Sequence, residues 1–465
     1  MTHWIEYIIY LANTLVVTGL IFYALYKLFR LQKIVRFFGF LLAIIGILYL
    51  VYTQEIIFTV LWNILVLFQL ILALYIGGYT LIAFLNKNKF HVVTLPNQLT
   101  ENLPLVTVVI AVHNEEEVID LTIKKLLKLR YAANKLEIII VDDCSSDSTP
   151  NILQKYANKI RIVSRSSSAL RGKPAALNEL IPTLNSELIA VFDADSMPEE
   201  DFLLKAVKHF KGDEISLLQT RNRQYNENNT LITKLVSLDI DSLHLSAYSP
   251  QSHLGFTLFE GRGGVFRRDA FVQLNGFDTE LPTEDWDFAF RLQFAGHQLA
   301  YDHSIYNYEQ ATETFNEFVK QRKRWLGSTA MTFFKNMSGL IDSKVINRVG
   351  KTSAFVAFFM NIWSVFFNVI GLLGLIGIIQ GYTFNGPLFL LSFSLIVPFY
   401  NITPIIFERK WHYLFYLPLM YLFYWSYTII VPQLFIDKYI LKEKTKFKKA
   451  EHGFISLEKS LYYNE

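Results

Sequence analysis

Long apolar runs crowd both ends of this 465-residue chain and are missing from its middle, and that contrast sets the tightest limit on what it can fold into. Residues 7–28, 37–53 and 56–85 form three runs before the polar middle, and residues 353–379, 388–407 and 413–436 form three after it. Each is close to the length that crosses a ~30 Å hydrocarbon core. Prolines at Pro398, Pro404, Pro418 and Pro432 predict kinked or broken helices in the last two. The first run leads from Leu28 into basic residues and not into a small-residue cleavage site, which argues against a removed signal. Lys27, Arg30, Lys33 and Arg36 separate the first two runs, whereas only Gln54 and Glu55 separate the second from the third. The positive-inside rule then places the amino terminus outside and the polar middle in the cytosol. Lys335, Lys344, Arg348 and Lys351 before the fourth run agree, as do Arg409 and Lys410 before the sixth. The lysine-rich tail obeys the rule only if one carboxy-terminal segment is re-entrant. The expected organisation is three transmembrane helices over 1–90, a cytosolic domain over 104–330, an interfacial helix region over 331–352, two to three transmembrane or re-entrant helices over 353–436, and a basic tail over 437–465.

Composition narrows the function classes. At 52% hydrophobic residues the chain is too apolar for an ordinary soluble enzyme, and a net charge of only +3 gives nucleic-acid binding no support. Cys144 is the single cysteine, which excludes an internal disulfide framework and a cysteine zinc cluster. Histidines at close metal-ligand spacing are missing too.

Inside the polar middle, short β-branched runs at 106–112, 137–141, 160–163 and 188–192 alternate with longer amphipathic stretches, the pattern of an α/β domain with a parallel sheet. Three of the four end in polar residues: His113-Asn114-Glu115, Asp142-Asp143 and Asp193-Ala194-Asp195. Ligands of parallel sheets bind beyond the carboxyl ends of the strands, so these groups are expected to converge on one crevice. Helix capping accounts well enough for Ser146 and Asp147, but not for acids at several separate strand ends. Asp193 and Asp195 present two hard carboxylates suited to Mg²⁺ or Mn²⁺ shared with phosphates. An Asp-X-Asp triplet by itself is more often a solvated loop.

Two further clusters raise its weight. Thr283-Glu284-Asp285-Trp286-Asp287 opens an amphipathic helix, and acids there commonly favour the helix dipole. A transferase also needs a base for the acceptor hydroxyl, and Asp285 is the candidate. Gln321-Arg322-Lys323-Arg324-Trp325 combines an amide, guanidinium groups that clamp phosphates, and an indole face for a sugar ring. The same stretch is equally a basic collar at lipid headgroups with Trp325 in the interfacial belt. Arg171-Gly172-Lys173-Pro174 reads either as an exposed turn or as a loop bringing a cation to a nucleotide.

Taken in order, Val112-His113-Asn114-Glu115, Asp142-Asp143, Gly172-Lys173-Pro174 with Leu177-Asn178, Asp193-Ala194-Asp195, Thr283-Glu284-Asp285 and Gln321 with Arg324-Trp325 resemble the family 2 inverting glycosyltransferases. Among these the chain looks like the membrane-embedded polysaccharide synthases that make cellulose, hyaluronan and poly-N-acetylglucosamine. The resemblance implies a GT-A, Rossmann-like catalytic domain inserted between transmembrane helices. It implies that Glu115, Asp142, Asp143, Lys173, Asp193 and Arg324 bind a UDP-sugar. Asp193 and Asp195 would hold Mg²⁺ or Mn²⁺, Asp285 would be the general base, and Glu284, Gln321, Arg322 and Trp325 would meet the acceptor. The expected partners are a UDP-glucose or UDP-N-acetylglucosamine donor, a growing glycan or a lipid acceptor, the lipid bilayer of a cell membrane, and possible auxiliary membrane subunits. The cysteine motif usual in cellulose synthases is replaced here by Phe259-Glu260-Gly261-Arg262-Gly263-Gly264, which argues against cellulose. A single sugar transfer to a membrane lipid is the alternative; a nucleotide-regulated channel or transporter is the second.

Overall fold

The computed structural model describes residues 55–86, 103–212, 214–358 and 386–435. The two leading apolar runs, most of the fourth and the basic tail lie outside the described residues.

All four expected strands form, as β1 (Val106–Val112), β2 (Leu136–Asp142), β3 (Arg161–Ser164) and β4 (Leu188–Phe192), and they pair in parallel. Parallel strands covered on both faces need apolar side chains at every position. Accordingly Val106, Val108 and Ile110 of β1 enter one core with Ile138 and Ile140, while Val109 enters the opposite core with Ile139 and Val141. The expectation of a parallel sheet holds for these four strands and again where β6 (Ile215–Gln224) pairs β8 (Gln298–Glu309), while the rest of the sheet is antiparallel. Beyond them come β5 (Met197–Pro198), β6 (Ile215–Gln224), β7 (Gly264–Arg267) and β8 (Gln298–Glu309), giving one eight-stranded mixed sheet of order β3-β2-β1-β4-β7-β6-β8-β5. Strand β7 runs antiparallel between β4 and β6. Its first residue has to be glycine: a Cβ on Gly264 would lie 2.3 Å from the Phe259 ring.

The helices that shape the cavity are α1 (Glu55–Asn86), α2 (Lys173–Leu180), α3 (Leu231–Ser242), α4 (Glu284–Phe294), α5 (Phe315–Asp342), α6 (Gly386–Phe407), α7 (Leu417–Trp425) and α8 (Tyr427–Phe435). Helix α5 runs through 331–342 without a break, so the expected interfacial region starts as its second half. Thr314 and Glu317 close a reciprocal cap at its start, satisfying backbone N–H groups that the first turn leaves without partners. A single π-helical turn, Leu243–Tyr248, continues α3, a departure from regular helix that often accompanies a functional site.

An apolar cluster ties α3 and α5 to α6, α7 and α8 through Leu235, Leu238, Phe318, Val397, Met420 and Phe423. Helix α1 lies along α6, where Thr80 Oγ1 donates 2.8 Å to the Phe399 carbonyl. The outer face of α1 leaves Val60, Ile64, Leu67, Ile71 and Leu74 about half exposed or more, at helical spacing. Among the described residues two stretches, Trp62–Asn86 and Trp411–Leu434, are long and apolar enough to cross a membrane by length and composition.

Candidate active site

The carboxyl ends of β1, β2 and β4 open on one cavity of about 1490 Å³. At its upper end the chain leaves β1 through Asn114, whose left-handed backbone (φ 57°) is held by the Ser145 hydroxyl at 2.9 Å and by Ser146 N–H donating 2.7 Å to its side chain. Glu115 lines the cavity just beyond this turn. Asp143 follows β2 and accepts from Arg165 Nη1 at 2.5 Å and from Gly172 N–H at 2.7 Å, which ties the 171–173 loop to the strand end. Asp142 does not join them. It is buried outside the cavity lining and accepts from Ser145 N–H at 3.0 Å, because strand alternation turns it away from the face that Asp143 shares.

At the centre Lys173, the first residue of α2, pairs with Asp193 and donates 2.8 Å to the Gly261 carbonyl. Burial opposes the charge on Asp193, yet Lys173, Arg262 and Arg324 together hold it below its ordinary pKa. Asp195 lines the cavity two residues on. These two carboxylates offer hard oxygens, and among the described residues no third acid, His or Cys converges with them. A cation there would draw its remaining ligands from phosphates and water, as Mg²⁺ usually does.

Asp285 sits in the first turn of α4, with Oδ1 accepting from Trp286 N–H at 2.8 Å. Its Oδ2 faces Gly261, a left-handed residue (φ 71°) on which a Cβ would come within 2.9 Å. Burial pushes Asp285 up to about 6, opposed by the Trp286 bond and by Lys173, and the nearby Glu260 raises it further. Glu284 beside it is pushed up to about 8 by burial and by Asp285. A carboxylate poised near neutrality in a cleft has the property a general base requires.

Helix α5 forms the remaining wall. Gln321, Arg324 and Trp325 line the cavity. Arg322 lines it as well; it is 5% exposed, donates 2.7 Å to Asp239 and lies 4.5 Å over the Trp325 ring. Three residues that the sequence reading did not assign complete the wall. Arg262 is gripped by Glu309 through two contacts of 2.6 and 3.1 Å, and Glu260 accepts from Asn222 at 2.5 Å. Glu260 and Arg262 fall in the Phe259–Gly264 stretch already noticed as unusual, while Glu309 ends a strand too polar to register as one. The cavity then continues between α1, α6 and α8, where Tyr75, Val397, Tyr400 and Tyr427 line it.

A mixed sheet with acids at successive strand ends is compatible with a GT-A, Rossmann-like fold, and comparison with known proteins gives that fold. A mannosyltransferase from Pyrobaculum calidifontis, solved with GDP-mannose and Mn²⁺, superposes over 82% of this chain and all of its own with a TM-score of 0.52 at 18% identity, a likeness of fold alone. Residues 104–328 match the family described as glycosyltransferase like family 2, and that stretch is a family 2 glycosyltransferase domain. A β-monoglucosyldiacylglycerol synthase from Trichormus variabilis is 33% identical over 236 residues, 49% of each chain. A poly-β-1,6-N-acetyl-D-glucosamine synthase from Staphylococcus aureus is 26% identical over 266 residues, 57% of this chain and 64% of that one. The match thus spans about half to under two thirds of these relatives' length.

Proposed function

We propose that this protein is a membrane-embedded inverting glycosyltransferase that transfers a sugar from UDP-glucose or UDP-N-acetylglucosamine to extend a β-linked polysaccharide and passes it along its own helices. The observation that carries this reading is that Asp285, raised toward neutrality, shares a cavity with Lys173, Asp193 and Asp195 at one end and with the apolar helices at the other.

In this mechanism Glu115 and Asp143 hold the nucleotide. An acceptor hydroxyl gives its proton to Asp285 as its oxygen attacks the anomeric carbon from the face opposite the diphosphate, and the bond from that carbon to the phosphate oxygen breaks with its electron pair leaving on UDP. A single displacement of this kind turns an α-linked donor into a β-linked product. Lys173 and Arg324 face the charge that develops on the diphosphate. Mg²⁺ or Mn²⁺ bound by Asp193 and Asp195 would add charge neutralisation on the leaving group. The exposed apolar stripe on α1 is the surface expected of a helix facing lipid, with segments 1–90 and 353–436 in a cell membrane and the 104–330 domain on its cytosolic side.

A second reading, transfer of one sugar to a membrane lipid, is favoured by the 33% identity with a glycolipid synthase and by the apolar reach of the cavity. Product size separates the two. Purified protein incubated with each radiolabelled UDP-sugar and Mg²⁺ or Mn²⁺ is expected to give high-mass polymer; a solvent-extractable glycolipid would replace the first reading by the second. No transfer from either donor would remove both.

A further inference from the structure

Helix α3 carries two acids that point to different partners. Asp241 serves Arg221, whereas Asp239, buried at 7% exposure and lining the cavity, meets the Arg322 guanidinium at 2.7 Å. That guanidinium in turn lies over two rings of its own helix, 4.5 Å from Trp325 and 5.2 Å from Phe318. A planar cation flat on an indole fixes the plane of that ring, and a charge-assisted hydrogen bond at its edge stops the cation from turning. One helical turn further along α3, Ser242 Oγ donates 3.0 Å to Asn401 Oδ1 of α6, so α3 itself is braced against the apolar helices.

We propose that Asp239 is a positioning residue for the acceptor: by pinning Arg322 against Trp325 it fixes the indole wall on which an acceptor ring or headgroup stacks in the cavity shared with Asp285. This rests on the transferase reading above. Its burial supports the assignment: Asp239 is desolvated, and Arg322 with a hydrogen bond from Tyr424 is what offsets that cost. The donor end of the cavity, built on Asp143, Lys173 and Asp193, lies on other elements and does not depend on it.

The test is an acceptor-against-donor split in KM. N,N′-diacetylchitobiose and dioctanoylglycerol are offered as acceptors with each UDP-sugar, using full-length protein in detergent micelles. With whichever acceptor the wild type glycosylates, Asp239→Asn is expected to raise acceptor KM about tenfold while donor KM stays within twofold, and Asp239→Glu is expected to recover most of the loss. In a Trp325→Leu background, Asp239→Asn is expected to add less than a twofold further rise, because the ring through which it acts is gone. Equal rises in both KM values, an unchanged acceptor KM, or independent multiplication of the two substitutions would overturn the assignment. A wild-type protein that transfers from neither donor would instead overturn the transferase reading, and this inference with it.

Discussion

The two halves of the sheet are built on opposite principles. In β3-β2-β1-β4 the interior is aliphatic, with Val109, Ile139, Ile189 and Val191 fully buried, and polar groups appear only where strands end. In β7-β6-β8-β5 buried charge sits beside apolar residues such as Leu217, Val265 and Phe266. Arg221, 1% exposed in the middle of β6, bonds Asp241 at 2.5 Å and Glu408 at 2.7 Å; Glu408 also meets Arg223 at 3.0 Å, and Lys410 meets Glu227 at 2.5 Å. The lesson is that the first half is a shelf held by the hydrophobic effect, whereas the second is tied to the apolar helices by ion pairs whose partners lie almost two hundred residues apart in sequence.

Four experiments break or sharpen that contrast. Asp285→Asn removes the base and leaves both halves folded; transfer is expected to fall about 10³-fold with an unchanged thermal transition, measured by radiolabelled sugar incorporation. Arg221→Met takes the buried guanidinium away from Asp241 and Glu408, leaving them Lys410 at 3.5 Å and Arg223 at 3.0 Å, and a loss of about 3 kcal/mol is expected in denaturation of the detergent-solubilised protein. A loss no greater than that of an aliphatic trim would show that the ion network does not brace the sheet.

The pH profile comes third. Asp285 must be ionised to accept a proton, and burial sets its pKa at about 6, so activity is present above that value and is lost as pH falls through it. Between pH 7 and pH 5 the rate is expected to drop about tenfold, by the ordinary titration of one group. A limb near pH 4 would mean that the site is wetter than its geometry implies. Smallest is Ile139→Val in the aliphatic half, expected to cost about 1 kcal/mol and to be insensitive to salt. A salt-dependent loss there would erase the distinction between the halves.

The same division explains what could be read from the chain beforehand. The four aliphatic strands announce themselves by β-branched runs, and the acids at their ends were recognisable as a site because nothing in a core explains them. Strand β6 contains Gln219-Thr220-Arg221-Asn222-Arg223-Gln224, all but one of them buried, and such a run has no apolar alternation to detect. Its burial is tolerable only because Asp241 and Glu408 arrive from elsewhere, and sequence spacing carries no trace of that meeting. Asp142 was misplaced for a simpler reason: adjacent residues at a strand end point to opposite sides, and a pair of aspartates does not say which one faces the ligand. Arg322 lines the cavity with the rest of its signature, and the contact with Asp239 that holds its guanidinium leaves no trace in the sequence.

Gly261 has a consequence for how freely this site can vary. Bare backbone is all that separates the 261 position from the Asp285 carboxylate, so even a methyl group there would shove the proton acceptor aside. The side chains at 260 and 262 line the cavity on either side and have room to differ, whereas the position between them is closed to every larger residue.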